Sequence, residues 1–493
     1  MSYEPTTLLT LIAQSSRIIA FLFMSVRNTP STERTSSYDY ILIALFLSLI
    51  AIGWLMIYSV GYKQGYNTDF SDFLFKTPVG KQTISILVAS VIALLVFSVD
   101  SQFWRIFSYA VYGIGILLLI LVLIFGKSIN GAKAWFIIAG SSFQPVEIAK
   151  IGTLLALSSF ISAPENSLQE TRSIFSILGI LLLPMALVAL QPDAGSMLVF
   201  FSFGILLFRE GLSPTPYVLG LSAAFLFVIG LVVPPMQLSL WSLFITAVAS
   251  VLSFKYFRNY FLSFLIISIP LCAYFFNKGW EKSALSGAIL CNIILLVILS
   301  QRGKLRSVIL ILGTLLIAIP IFFATNFAFE HVFSSHQKTL IDAWLRPERT
   351  KSSQTYNIIQ SKLAIGSGGF QGKGFLEGNM TRLNYVPEQH SDFIFCTVGE
   401  EQGFIGVFGV VIIYLLFLVR IIQTAENQRS VFVRTYGYGL AGILFFHFFI
   451  NIGMTMGILP VIGIPLPFLS SGGSSLIGFS TTFAIYLKMT GQR

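Results

Sequence analysis

Four stretches of this chain carry side chains whose types and spacing could do chemistry. In 143–150 (FQPVEIAK), Glu147 and Lys150 lie three residues apart, share a helix face and can pair. Ionisable groups at the end of an apolar run mark either an ion pair that orients helices or a functional site, and the spacing leaves both open. In 191–195 (QPDAG), Asp193 sits between two apolar runs, as a turn or capping carboxylate or as a reactive one. The stretch 356–395 combines a Gly-rich run with Lys362, Lys373 and Arg382, a setting that suits a pyrophosphate, although turns need glycine too. It ends in His390 and Asp392, just before the apolar run FIFC. A partly desolvated carboxylate there has a raised pKa and is competent as a general base, a role compatible with capping the following helix. Finally, 451–475 is rich in Gly and Pro and predicts a broken, re-entrant backbone, tolerated in a membrane only when buried in protein or lining a cavity.

The elements that must position these residues are membrane helices. The 493 residues are 55% hydrophobic and only 11% charged, with mean hydropathy +0.81. Apolar runs of spanning length recur along the chain. We read an all-α polytopic membrane protein with about fourteen spans between 39 and 487, among them a short one at 195–208. The stretch 1–38 reads as an N-terminal extension with an interfacial helix at 7–26, which carries Arg17 at its centre. The first six spans fall in 39–215, further spans in 216–300, and the large loop 328–392 with the last three spans in 301–489. Lys and Arg in the short loops sort by more than two to one when the termini are cytoplasmic, which places 328–392 outside. The formal charge of +10 reflects basic cytoplasmic loops rather than a nucleic-acid partner. Cys272, Cys291 and Cys396 show neither metal-ligand spacing nor a disulfide framework. The residues alone reach an external polar site on a membrane bundle, belonging to an enzyme acting on lipid-borne substrates or to a transporter.

From about residue 40 to 489 the sequence resembles the shape, elongation, division and sporulation (SEDS) family of polytopic glycosyltransferases. The motifs FQPxExAK, QPDxG, QSKxAIGSGGxxGKG, PExxxDFIF and NIGMxxGxLPxxGxPLPFxSxGGSS carry the resemblance, and QSKLAIGSGG is similar to the RodA, or elongation, branch. The resemblance implies ten core spans, so that about four, at 216–300, are inserted. An even insertion keeps the large loop outside. It implies a peptidoglycan glycosyltransferase in the bacterial plasma membrane that polymerises lipid II and releases undecaprenyl pyrophosphate. A class B penicillin-binding protein and the elongation complex are its implied partners. Carried over by position, Asp392 is the implied general base of an inverting transfer, and Glu147, Lys150 and Asp193 match functional positions. Lys362, Lys373 and His390 join them as expected substrate contacts. No cofactor is certain; lysines or a divalent cation, Mg or Mn, would neutralise the pyrophosphate. The chain departs from the family pattern at Ala134, Leu340 and Ser471. A lipid II flippase and a division-type, FtsW-like paralogue are the alternative readings.

Overall fold

The computed structural model describes residues 38–62, 70–129, 131–138, 141–166, 168–232, 320–321, 323–333, 335–347 and 353–491. The interfacial helix expected at 7–26, Cys272, Cys291 and nearly all of the inserted segment 216–300 lie outside the described residues. Of that insertion only the helix Thr215–Val232 is described.

Helices dominate, as the apolar runs predict. Those that concern the site are α1 (Tyr40–Gly61), α2 (Phe70–Lys76), α3 (Pro78–Ser98), α4 (Ser101–Ile106) and α5 (Ser108–Phe125). They continue with α6 (Val146–Ser162), α7 (Thr171–Leu190), α8 (Ala194–Val199), α9 (Phe203–Arg209) and α10 (Thr215–Val232). After the undescribed segment come α11 (Ser335–Leu345), α12 (Ser353–Ser367), α13 (Asn379–Arg382), α14 (Ile394–Glu426), α15 (Val431–Thr455) and α16 (Gly473–Gly491). Among the described residues seven helices are long and apolar enough to cross a membrane: α1, α3, α5, α7, α10, α14 and α15. The short span expected at 195–208 is α8 and α9 joined by a single 3-10 turn, Phe200–Ser202.

The expectation of an all-α chain needs one correction. Between α5 and α6 the outer segment forms an antiparallel sheet of three strands: β1 (Lys127–Ile129), β2 (Ala132–Ile138) and β3 (Ser141–Phe143), in that order. Trp135 opposes Lys127 and Phe136 opposes Phe143. The aromatic and β-branched run AWFII favours a pleated surface, a local preference hidden in a sequence read for spans alone.

Helix α15 is the central one. In its apolar window 78% of residues are buried, against 28% for α1 and 22% for α5. It packs on α6, α9, α14 and α16. Helix α6 is drawn close to α5 through small residues: a Cβ on Gly152 would lie 2.7 Å from the Tyr112 Cα. The irregular stretch predicted at 451–475 is observed between α15 and α16, where 456–472 is non-helical and Val461, Ile464, Leu466, Phe468 and Leu469 are buried. Asp39 caps α1 through Leu42 N (3.2 Å) and pairs with Arg420 of α14 at 2.6 Å, tying together one end of the bundle.

Candidate active site

Glu147 and Lys150, one turn apart at the start of α6, form a 2.8 Å ion pair and are only 5% and 3% exposed. The Lys150 ammonium also lies 4.9 Å from the centre of the Phe479 ring and 3.3 Å from His447 Nε2. His447 Nδ1 is 3.2 Å from the carbonyl of Pro465. That carbonyl can only accept, so Nδ1 carries the hydrogen and Nε2 accepts from Lys150, which makes this a neutral imidazole. The buried pair is thereby joined to the irregular segment.

Asp392 lies half-buried just before α14. Its backbone N–H donates to the Glu388 carbonyl at 3.1 Å, and its own carbonyl accepts from Asn451 Nδ2 at 2.9 Å. The same amide donates to the Ile464 carbonyl at 2.7 Å. A Cβ on Gly463 would stand 3.3 Å from Asp392 Oδ2, so the carboxylate rests against the irregular segment. Burial, with the Glu388 carboxylate adding to it, pushes Asp392 up to about 7. His390 has the Glu388 and Lys81 charges near it, and burial holds its imidazole below the ordinary range. The His390 carbonyl accepts from Ser471 N at 2.8 Å.

The Gly-rich run serves a purpose other than the expected cradle. Helix α14 breaks at Gly403 (φ 61°, ψ −159°), which frees donors and acceptors on either side. The loop takes them up. Phe404 N and Ile405 N donate to the carbonyls of Gly369 and Phe370, while Lys373 N and Gly374 N donate to those of Glu400 and Glu401. A Cβ on Gly372 would lie 2.1 Å from the Glu401 carbonyl oxygen, so the two backbones meet directly. Lys373 is committed here as well, since its ammonium pairs with the fully buried Glu400 at 2.7 Å. Glu400 accepts three further bonds, from Met380 N, Thr381 N and Thr381 Oγ1. Lys362 is exposed on α12 and packs beside Gly457 at the end of α15.

Asp193 caps α8. It accepts from Ser196 N at 2.9 Å, from Ser196 Oγ at 2.8 Å and from Gln144 Nε2 at 2.9 Å. The first and second motifs therefore meet through Gln144. A Cβ on Gly195 would lie 3.0 Å from the Ile462 carbonyl, so the second motif also touches the irregular segment.

Residues 39–242 and 235–493 match the FtsW, RodA and SpoVE family, described as Cell cycle protein. The chain belongs to that family. Among its relatives, the peptidoglycan glycosyltransferase RodA of Treponema pallidum is 31% identical over 445 residues, covering 90% of this chain and 94% of that protein. The peptidoglycan glycosyltransferase MrdB of Escherichia coli K12 is also 31% identical, over 78% of this chain and 77% of its own length. In fold, the chain is similar to crystalline RodA of Thermus thermophilus (TM-score 0.53, 22% identity, 92% of this chain and 97% of that one). It is also similar to a chain solved in work on polymerization and crosslinking by a peptidoglycan synthase complex (TM-score 0.58, 21% identity, 92% and 98%).

Within this FtsW/RodA/SpoVE chain, the candidates separate into two groups. Glu147, Lys150 and Asp392 are brought together through α15 and the irregular segment, with His390 next to Asp392. Asp193 and Lys373 have their polar groups occupied by capping and pairing, and Lys362 stands apart on α12. Three polar residues were passed over in the sequence: His447, Asn451 and Glu400. Each sits inside an apolar run, the signal that singled out Glu147 and Lys150.

Proposed function

We propose that this chain is the glycan polymerase of an elongation-type cell-wall machinery, with Asp392 as general base. The observation that carries the reading is the carboxylate itself: half-buried before α14, braced through its own backbone, and raised to about 7. A base poised near neutrality combines a deprotonated form with useful basicity. The names of the relatives supply the reaction class, peptidoglycan glycosyl transfer.

In this reading the Asp392 carboxylate takes the proton from the 4-hydroxyl of the acceptor sugar. That oxygen attacks the anomeric carbon of a lipid II donor from the face opposite the leaving group. The bond to undecaprenyl pyrophosphate breaks and the configuration inverts. Lys362 is the candidate to meet the leaving pyrophosphate, since Lys373 is held by Glu400. Among the described residues no group of three or more His, Cys, Asp or Glu side chains is placed to hold a metal ion, and no step here is routed through one.

The reading places the large loop outside the plasma membrane and both termini inside. It pairs the chain with a class B penicillin-binding protein that crosslinks the product. Purified protein, alone and with that partner, is assayed for conversion of lipid II to glycan strands. Strand formation supports the reading; transbilayer movement of lipid II without polymerisation would favour a flippase.

A further inference from the structure

The inference concerns what the buried polar residues of α6 and α15 do for Asp392, and it rests on the general-base reading above. Glu147 and Lys150 are too deeply buried to touch a sugar or a pyrophosphate at the surface. Their polar contacts lead inward. From Lys150 the bonding passes to His447 and on to the Pro465 carbonyl. One turn further along the same face of α15, Asn451 grips the neighbouring carbonyl, that of Ile464, and with the same amide the carbonyl of Asp392. Residues 463–465 thus form a strap held by two side chains of α15, and Gly463 of the strap abuts the Asp392 carboxylate.

We propose that His447 and Asn451 are positioning residues, which fix Asp392 against the 463–465 strap so that its carboxylate meets the acceptor hydroxyl. The ion pair of Glu147 with Lys150 is the anchor of this arrangement: it orients the imidazole whose Nδ1–H secures Pro465. Loss of either tie leaves the carboxylate in place chemically but lets it drift. A displacement of about 1 Å at a reacting group can cost on the order of 100-fold in rate. Neither side chain contacts substrate, so the effect falls on turnover and not on binding.

The test uses the full chain purified with its partner, and steady-state polymerisation of lipid II. His447→Asn keeps an amide N–H close to the position of Nδ1, whereas His447→Gln reaches towards Lys150 and loses the bond to Pro465. Asn451→Leu removes both donors, and Asn451→Ser, which retains one, replaces it should the leucine variant fail to fold. The expected result is a fall in kcat of roughly tenfold or more for His447→Gln and Asn451→Leu, with KM within about twofold. His447→Asn should recover most of the turnover. Unchanged kcat in His447→Gln and Asn451→Leu would overturn the proposal. So would losses that follow thermal stability alone and strike His447→Asn equally. Asp392→Asn is measured alongside: if it stays active the general-base reading fails, and if it is inactive while the strap variants are active, positioning alone fails.

Discussion

Lys373 and Glu400 close a 2.7 Å ion pair in which the carboxylate is wholly buried and the lysine side chain 26% exposed. The pair fastens the Gly-rich loop to α14 just before its break at Gly403. Because Glu400 accepts three more bonds from 380–381, it is the hub and Lys373 one spoke. Removing the hub strands several buried donors; removing the spoke leaves three bonds standing. Glu400→Ala should therefore destabilise by about 3–5 kcal/mol, the scale of a broken buried pair. Lys373→Met should cost about 1–3 kcal/mol, the scale of one charge-assisted bond. Thermal unfolding in detergent checks the order. A Lys373→Met variant with wild-type stability and a raised KM for lipid II would put that ammonium on the pyrophosphate instead.

The raised Asp392 gives a pH dependence whose sign is fixed. Catalysis needs the carboxylate ionised, so kcat/KM of polymerisation should climb as pH rises through about 7, not level off near the ordinary carboxylate value. Stability runs the other way. A folded-state value above the unfolded one favours the protonated form in the native state. The contribution is complete below the ordinary carboxylate pKa and is lost as pH rises through about 7. Removing the charge with Asp392→Asn should flatten that stability change between pH 5 and 8. An acid limb centred near 4 in wild-type protein would contradict the assignment.

The sidedness read from Lys and Arg gives a third expectation. Ser353 is exposed at the start of α12, within the loop placed outside. With the three native cysteines replaced, Ser353→Cys should react with an impermeant thiol reagent in intact spheroplasts. Labelling only after lysis would put Asp392 on the cytoplasmic side and remove the substrate-facing role argued for it.

How far the sequence could be read depended on the physical scale of each feature. Spans are long and apolar, so most of the helices around the site could be recognised, and the turn of helix that joins Glu147 to Lys150 follows from spacing alone. The sheet at 127–143 was missed because three-residue strands carry little periodicity. The glycines of 366–374 were visible, but not their purpose. Their partner is the backbone exposed by the break at Gly403, about thirty residues further along the chain. Helix α14 itself was anticipated as one apolar run, and Glu400 within it went unremarked. His447 and Asn451 were equally visible, yet a tie to Asp392 across 59 residues becomes apparent only in three dimensions.

The central claim is that Asp392 supplies the base, and one substitution isolates it. Asp392→Asn keeps size, capping ability and the backbone carbonyl that Asn451 holds, while removing basicity. The measurement is the initial rate of lipid II polymerisation by the purified complex, at matched protein level, melting temperature and partner content. General-base contributions are typically about 10²–10⁴-fold, so the rate should fall by at least about 100-fold. A rate within about twofold of wild type would place the base elsewhere and contradict the account.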